Sequence, residues 1–294
     1  MSTSAKRTIG GLAALAVVMG VVVAGAQPAP ILEPPDPSRP WLADRGSGVW
    51  TSIFGTYVRP RELLVSPFVE YYVDDDLEYE PFEFGHGLEQ EFRGKYRATE
   101  GLIFLAYGFS DRLAIELEAA IITATLEKAP DDPSSMPEKI EESGQGDWQV
   151  ELDWRMLHET ATRPELFSFF ELTPPANEDA RLIGTPDWEY KAGFGLIKGL
   201  SWGTLIGRLA LAYSAEEEAL EAGEYAVEYL KRLNSHWRVY AGIEGEQDEV
   251  ELISEVQWHF SPRGYLRVNS GYGLTSKATD WSPDVGLVFS FGGR

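Results

Sequence analysis

The chain has 294 residues, and 25 Lys and Arg against 47 Asp and Glu give it a formal net charge of −22. It has no cysteine, which excludes disulfide bonds, Cys-ligated zinc sites and iron–sulfur clusters. An acidic surface repels phosphate groups, so nucleic acid is not an expected partner. An aromatic content of 12% is too high for a disordered chain, and a mean hydropathy of −0.22 excludes a bundle of transmembrane helices. A soluble acidic globule and a β-barrel remain.

The first 26 residues carry an export pattern. Lys6 and Arg7 form a short basic region, and residues 8–26 contain no charged side chain. The run ends in Ala24-Gly25-Ala26, which matches the small-residue pattern of a signal-peptidase site. These features predict a signal peptide over residues 1–26. The alternative is an uncleaved membrane anchor, because the uncharged run is longer than the apolar region of a typical signal peptide.

Residues 27–60 are expected to connect the export signal to the folded domain. Prolines are frequent between residues 27 and 45, which disfavours a helix or a central strand and predicts an extended periplasmic linker. Residues 46–60, which enter the folded domain, are apolar on both faces. They are compatible with a short strand, a periplasmic turn or a piece packed beneath a barrel, and the pattern does not choose among these.

The remaining chain alternates apolar and polar side chains with a period of two. Every even position from Trp148 to Met156 is apolar, and every odd position from Asp147 to Arg155 is polar or charged. Successive side chains of a strand point to opposite faces, so the pattern predicts strands with one apolar and one polar face. Twelve segments are predicted as strands: residues 61–73, 86–109, 113–126, 146–157, 165–173, 187–198, 202–214, 224–234, 237–246, 249–260, 264–274 and 283–292.

The connections between these strands are alternately long and short, with 247–248 as the exception. Short periplasmic turns, longer outer loops and an even strand number are typical of outer-membrane barrels. We therefore predict an all-β fold, a twelve-stranded antiparallel transmembrane up-and-down β-barrel over residues 61–294, with both termini on the periplasmic side. Two local points stay open. Residues 86–109 are one long strand or a hairpin, and Ala215–Ala222 are compatible with a helical turn.

Aromatic residues near the strand ends also fit a membrane-spanning barrel. Those near the long connections are Trp148, Trp188, Tyr213 and Tyr272, and those near the tight turns are Trp154, Trp237, Trp258 and Phe291. Aromatic rings prefer the boundary between membrane and water, so two girdles are expected. A secreted soluble β-sandwich would alternate as well, but the export signal, the loop asymmetry and the girdles together favour the barrel.

Two stretches resemble a known family. Residues 107–117 read YGFSDRLAIEL, and residues 142–152 read ESGQGDWQVEL. Both are similar to a family of bacterial outer-membrane transporters named for the phenol-degradation meta pathway, and the resemblance extends over about residues 100–215. It implies an outer-membrane barrel with a role in transport. Within the motif, Asp111 is placed to cap a turn and Arg112 to lie among lipid headgroups, so both are architectural residues.

Catalytic patterns are absent from the sequence. The four histidines, His86, His158, His236 and His259, show no H-x-x-H or H-E-x-x-H spacing, and there is no G-x-S-x-G motif. An outer-membrane phospholipase places Ser and His on its barrel wall, but here Ser254 and His259 fall on opposite faces of one predicted strand. We therefore expect no catalytic residue, no cofactor and no metal site, and we expect that the protein is not an enzyme.

Charged residues on the inward face of the strands are the candidate lining of the lumen. They are Glu70, Glu116, Glu118, Glu151, Asp153, Arg155, Glu189, Lys191, Arg208, Arg238, Glu255 and Arg267. One interpretation is a polar pore that selects solutes by charge. The other is a set of cross-strand ion pairs that fill a narrow lumen. Twelve strands enclose more space than an eight-stranded barrel and less than a general porin, so both interpretations stay open.

The long connections are rich in carboxylates, notably within residues 74–83, 131–142 and 216–221. They are expected to be solvated, since no spacing among them matches a calcium-binding loop. Phe82 and Phe84 are unusual in such a loop and are candidates for a lid over the lumen.

The sequence as a whole predicts an outer-membrane channel or transporter for passive passage of small solutes, including hydrophobic or aromatic ones. The alternative is a non-conducting structural or interaction barrel that uses its acidic loops as a contact surface. Expected partners are outer-membrane lipid, a small-molecule solute and the barrel-assembly machinery.

Overall fold

A computed structural model describes residue 32 and residues 35–176, 180–185, 187–215 and 219–293. The predicted signal peptide and residues 27–31, 33 and 34 of the proline-rich linker lie outside the described residues. In the described part of the linker, Pro40–Leu42 form one 3₁₀ turn where extended chain was predicted. Within the described residues, no helix is long and apolar enough to cross a membrane.

Twelve antiparallel strands close into a barrel, as predicted. They are β3 (Glu62–Tyr79), β4 (Phe92–Gly108), β5 (Leu113–Glu127), β6 (Lys139–Leu157), β7 (Glu165–Thr173), β8 (Glu189–Leu200), β9 (Gly203–Ser214), β10 (Ala219–Arg232), β11 (Trp237–Glu246), β12 (Glu249–Ser261), β13 (Gly264–Gly273) and β14 (Trp281–Gly292). Each strand pairs with its neighbours in sequence, and β14 pairs with β3 to complete the ring. Closure leaves no strand edge unpaired, which a barrel in lipid requires.

The two faces of the wall follow the alternation in the sequence. Leu211 of β9 and Val227 of β10 point outward and are 54% and 67% exposed. Arg208 and Glu228, on the opposite faces of the same strands, are 6% and 2% exposed. Apolar side chains therefore cover the outside of the barrel and ionised ones fill the inside, the reverse of a soluble β-sandwich.

Connection length divides the barrel into two ends. Tight turns join β4 to β5, β8 to β9 and β12 to β13, and the first residue of the ring, Glu62, pairs with the last, Gly292, at this short-turn end. The longest connections, residues 80–91, 128–138 and 174–188, all lie at the opposite, long-loop end. The predicted asymmetry is thus present.

Three local predictions need correction. β3 continues to Tyr79, because Arg97 and Arg93 of β4 form ion pairs with the supposed loop residues Asp75 and Glu78, at 2.5 and 2.7 Å.

Residues 86–91 precede β4 rather than belonging to it. Positions 98–101 are not a hairpin, because they pair with β3 on one side and β5 on the other. At Ala219 the chain is already in β10, and residues 219–222 pair with β9 instead of forming a helical turn.

Aromatic side chains form the two predicted girdles. Trp148, Trp188, Tyr213 and Tyr272 are exposed at the long-loop end, and Trp154, Trp258 and Phe291 are exposed at the short-turn end. Trp237 stacks on Trp258 with ring centroids 6.2 Å apart. The exposed rings mark the two boundaries of the apolar band.

The segment left open by the sequence, residues 46–60, packs inside the barrel; we call it the plug. Its strands β1 (Val49–Trp50) and β2 (Tyr57–Val58) pair antiparallel. The Thr51 hydroxyl donates to the Thr56 carbonyl at 3.0 Å and closes the intervening turn. Val49 and Val58 are fully buried against β3, β4 and β5. Because both faces of the plug meet the barrel wall, both are apolar in sequence.

Gly55 is the residue of this turn that admits no side chain. Its φ is +61°, and a Cβ there would lie 2.8 Å from Cδ1 of Leu230 on β10. The position therefore needs glycine both for its left-handed backbone and for its close approach to the wall.

Candidate functional site: a plugged lumen

The plug contacts the barrel wall on one side through Trp50. Its indole ring stacks on Phe167 of β7 with centroids 4.7 Å apart, and the guanidinium of Arg208 lies 5.3 Å from the indole centroid. Trp50 is 3% exposed. An aromatic stack and a desolvated cation–π contact together hold this side of the plug against β7 and β9.

Contacts on the opposite side of the lumen are aromatic and polar. Phe54 stacks on Tyr240 of β11 at 5.0 Å, and the Gln257 amide on β12 donates to the Phe54 carbonyl at 3.2 Å. The hydroxyls of Thr56 and Tyr265 are 2.6 Å apart. The plug therefore spans the lumen from wall to wall.

A buried ion-pair network anchors the chain just before the plug. Arg45 donates to Glu159 at 3.1 Å and to Glu165 at 2.8 Å, and Arg155 of β6 pairs with the same Glu165 at 3.0 Å. Burial by itself lowers the pKa of Arg45, but the charges of Glu165, Tyr57 and Glu159 and the hydrogen bond to Glu165 together outweigh it and hold this pKa above its usual value. Each of these charges is compensated by a direct partner, which is what burial of an ion demands.

The plug separates two cavities. The outer cavity, of about 590 Å³, lies between the plug and the long-loop end, and Trp50, Ser52 and Phe54 form part of its floor. The inner cavity, of about 310 Å³, lies on the short-turn side and includes Tyr57 and Arg59 in its lining. The two cavities share no lining residue.

The two cavities carry opposite charge. Carboxylates dominate the outer cavity and include Glu70, Glu100, Glu118, Asp147, Glu171, Glu224, Glu244, Glu246, Glu249 and Glu251, whereas its cations are Lys191, Arg208 and Arg267. Cations dominate the inner cavity: Arg39, Arg45, Arg59, Arg232, Arg238 and Arg263 face Asp36 and Glu62. An anion entering from the long-loop end meets a repulsive potential before it reaches the plug.

Two arginines organise the charge of the outer cavity. Arg208 of β9 forms ion pairs with Glu228 at 3.1 Å, with Glu244 at 2.7 Å and with Glu224. Arg267 of β13 pairs with Glu255 at 2.9 Å and with Asp284 at 2.8 Å. These pairs link β9 to β10 and β11, and β13 to β12 and β14, across the inner surface.

The structure places the predicted lining residues in four groups. Those that line the outer cavity are Glu70, Glu116, Glu118, Glu151, Lys191, Arg208 and Arg267. Asp153, Arg155 and Glu255 are buried outside either cavity lining, and Arg238 lines the inner cavity. Glu189 is exposed at the long-loop end, two residues before Lys191 on β8. Some predicted residues line a cavity, others are buried in the wall, and Lys191, Arg208 and Arg267 both line the outer cavity and form ion pairs.

Arg238 differs from the other arginines of the lumen. It faces the inner cavity and, in the described part of the chain, has no ion pair or hydrogen bond. His259 lines the same cavity, is 5% exposed, and its Nε2 atom has no hydrogen-bond partner there. On the short-turn side of the plug, Nε of Arg238 and Nε2 of His259 are thus buried polar atoms without a hydrogen-bond partner among the described residues.

Residues of the plug are the main feature that the sequence prediction missed. Trp50, Ser52 and Phe54 lie in an irregular segment before the first barrel strand, and no periodicity connects them to the lumen. Their apolar character on both faces was the one available signal.

Phe82 and Phe84 do not line either cavity. Phe84 packs near Tyr79 with centroids 6.4 Å apart, and Phe82 is 55% exposed. Their role as a lid stays a prediction. Deletion of residues 76–85 followed by conductance measurement tests it, and an unchanged conductance would count against it.

Known proteins share the architecture rather than the sequence. The chain resembles the COG4313 outer membrane channel from Pseudomonas putida F1, with 14% identity, a TM-score of 0.58, and coverage of 83% of this chain and 100% of the other. It also aligns with the KdgM porin, at 7% identity, 78% and 99% coverage and a TM-score of 0.48, and with the CymD monoaromatic hydrocarbon channel, at 9% identity, 80% and 89% coverage and a TM-score of 0.43. No protein-family model and no curated protein matches the chain.

Fold and surface together define the class of protein. A closed twelve-stranded antiparallel barrel with an apolar outer band and two aromatic girdles is a transmembrane β-barrel of the bacterial outer membrane. Its membership of the phenol-degradation family remains a proposal.

Proposed function

We propose that the protein is a passive outer-membrane channel for small solutes and that the plug closes it at rest. The observation that carries the proposal is the pair of cavities on the barrel axis, divided by a segment held through side-chain contacts. A barrel that served only as a wall or anchor would need no solvent-filled chamber at each side of an internal hairpin.

The lining of the outer cavity favours solutes without negative charge. Carboxylates exceed cations there, so an anion is repelled while a neutral or cationic solute is not. The same lining contains the aromatic rings of Trp50, Phe54, Phe68 and Phe104. Small hydrophobic or aromatic molecules that are neutral or cationic fit both features, and the volume is in the range of small-molecule sites. No chemical step and no cofactor are part of this proposal.

Bilayer electrophysiology tests the proposal. Purified protein in a planar membrane with a KCl gradient is expected to give discrete current steps. The sign of the reversal potential is expected to show that the channel prefers cations. The variant Glu246→Gln/Glu249→Gln/Glu251→Gln is expected to shift that potential towards zero, because it removes carboxylates from the outer cavity.

A matched control keeps the same charge change away from the lumen. Glu89→Gln/Glu91→Gln/Glu138→Gln removes three carboxylates from the long connections, and all three side chains are exposed. This control should leave the reversal potential unchanged. The absence of current at every voltage would favour the alternative, a non-conducting barrel with acidic contact loops.

A further inference from the structure

Three almost completely buried acidic side chains of the lumen have no ion-pair partner among the described residues. Glu116 of β5 stands directly opposite Glu151 of β6 in the strand register. Asp153 follows two positions later on the same face of β6, and the three carboxylates can each place one oxygen within 4.8 Å of the others. All three side chains are almost completely buried, with residue exposures of 3%, 5% and 0%.

Asp153 points into this group without any partner of its own. Neither of its carboxylate oxygens accepts a hydrogen bond from the described residues, and the same holds for Oε1 of Glu116 and Oε1 of Glu151. No Lys, Arg or His within the described ranges forms an ion pair with any of the three. Elsewhere in the lumen, buried carboxylates meet Arg45, Arg155, Arg208 or Arg267. Lys191 is paired with Glu171 and Glu246 instead.

Three buried carboxylates at this distance cannot remain ionised without a compensating positive charge. We propose that Glu116, Glu151 and Asp153 form a binding site for a hard divalent cation, Ca²⁺. The three carboxylates can bring one oxygen each to within 4.8 Å of the others, which is in the range of oxygen separations around a single ion with Ca–O distances of about 2.3–2.6 Å. Ca²⁺ accepts irregular sets of carboxylate and water oxygens, whereas Mg²⁺ demands a near-ideal octahedron.

The cavity and the plug complete the environment of the site. Glu116 and Glu151 line the outer cavity, which gives an ion a route from the long-loop end and water molecules as further ligands. The other oxygen of Glu116 accepts hydrogen bonds from the backbone N–H of Ser52, at 3.1 Å, and from its hydroxyl, at 2.5 Å. A bound cation therefore orients the carboxylate to which the plug is attached. This proposal does not depend on conduction.

Calcium binding to the full-length protein in detergent tests the proposal. After treatment with EDTA and its removal, the wild type is expected to bind one Ca²⁺ more than the variant Glu151→Gln/Asp153→Asn. A matched control, Glu100→Gln/Glu251→Gln, removes two carboxylates from the lining of the same cavity and should bind as many ions as the wild type. The difference between variants separates this site from weak binding by acidic loops, including the group Asp74, Asp76 and Asp280.

A second readout uses the wild type alone and does not require that a variant fold. Tb³⁺ bound at the site is expected to show emission sensitised by Trp50, which shares the cavity floor with Ser52, and Ca²⁺ should displace it. Equal calcium binding by wild type and Glu151→Gln/Asp153→Asn would overturn the proposal, as would sensitised emission that Ca²⁺ fails to reduce. The first result would leave protons to neutralise the three carboxylates, and the second would mean that the site does not take Ca²⁺.

Discussion

Deletion of residues 46–60 is expected to raise the single-channel conductance roughly tenfold, because the plug is the structure that separates the outer and inner cavities. Without it, the two chambers become one water-filled path along the barrel axis. The measurement is the current step in a planar bilayer at fixed voltage and salt. Heat-modifiable mobility on a gel verifies that the shortened chain still folds as a barrel. An unchanged conductance would show that the plug does not close the lumen.

A crosslinked variant tests the same point while keeping the plug in place. The natural chain has no cysteine, so a pair introduced as Phe54→Cys/Tyr240→Cys is the only one available for linkage. The two rings that it replaces stack at 5.0 Å, which places the new thiols within reach of a short bis-maleimide linker. The linked protein is expected to lose its open events, and each single-cysteine variant treated with the same reagent serves as a control.

The substitution Arg208→Met is expected to lower the free energy of unfolding by about 3–5 kcal/mol, the usual cost of breaking a buried ion pair from one side. Arg208 is 6% exposed and contacts Glu224, Glu228 and Glu244. Its loss leaves three carboxylates in the lumen without their cation and removes the contact above the Trp50 ring. Urea titration in lipid vesicles measures the change.

Two companion variants separate charge from packing. Lys139→Met removes an exposed lysine that pairs with Glu141 and should leave the free energy of unfolding nearly unchanged. Adding Glu228→Gln and Glu244→Gln to Arg208→Met should restore much of the lost stability, because fewer uncompensated charges remain. If this combination is as unstable as Arg208→Met alone, the guanidinium acts mainly through packing against the plug.

The division of charge along the barrel axis connects these effects with function. Solutes entering from the long-loop end first meet carboxylates, then the aromatic face of the plug, and then the basic inner cavity. Under the proposed channel function, a neutral aromatic molecule would cross this sequence of fields without the cost that an ion pays, since only net charge couples to the potential. The same arrangement predicts that high salt weakens the cation selectivity of the outer cavity by screening its carboxylates.

The strands of the barrel were predictable because their signal is local. The barrel wall is a single sheet with lipid on its outer face and polar groups on its inner face. Each strand therefore needs the period-two alternation that is seen from Asp147 to Arg155, and this pattern can be read one strand at a time. Strand ends were less predictable. The last residues of β3, up to Tyr79, include carboxylates that pair with Arg93 and Arg97 of β4. The sequence does not show these partners, and a stretch so rich in carboxylates is otherwise typical of a loop.

The sequence by itself determined the strand number, the outward and inward faces, and the two girdles, because each depends on the contact of a single strand with lipid or lumen. Only the tertiary structure decided where residues 46–60 lie and which charges of the lumen have partners. Those features join residues far apart in the chain, such as Ser52 with Glu116 and Arg45 with Glu165, and they exist only once the ring has closed around them. The register of β5 against β6 decides in the same way that Glu116, Glu151 and Asp153 lie together.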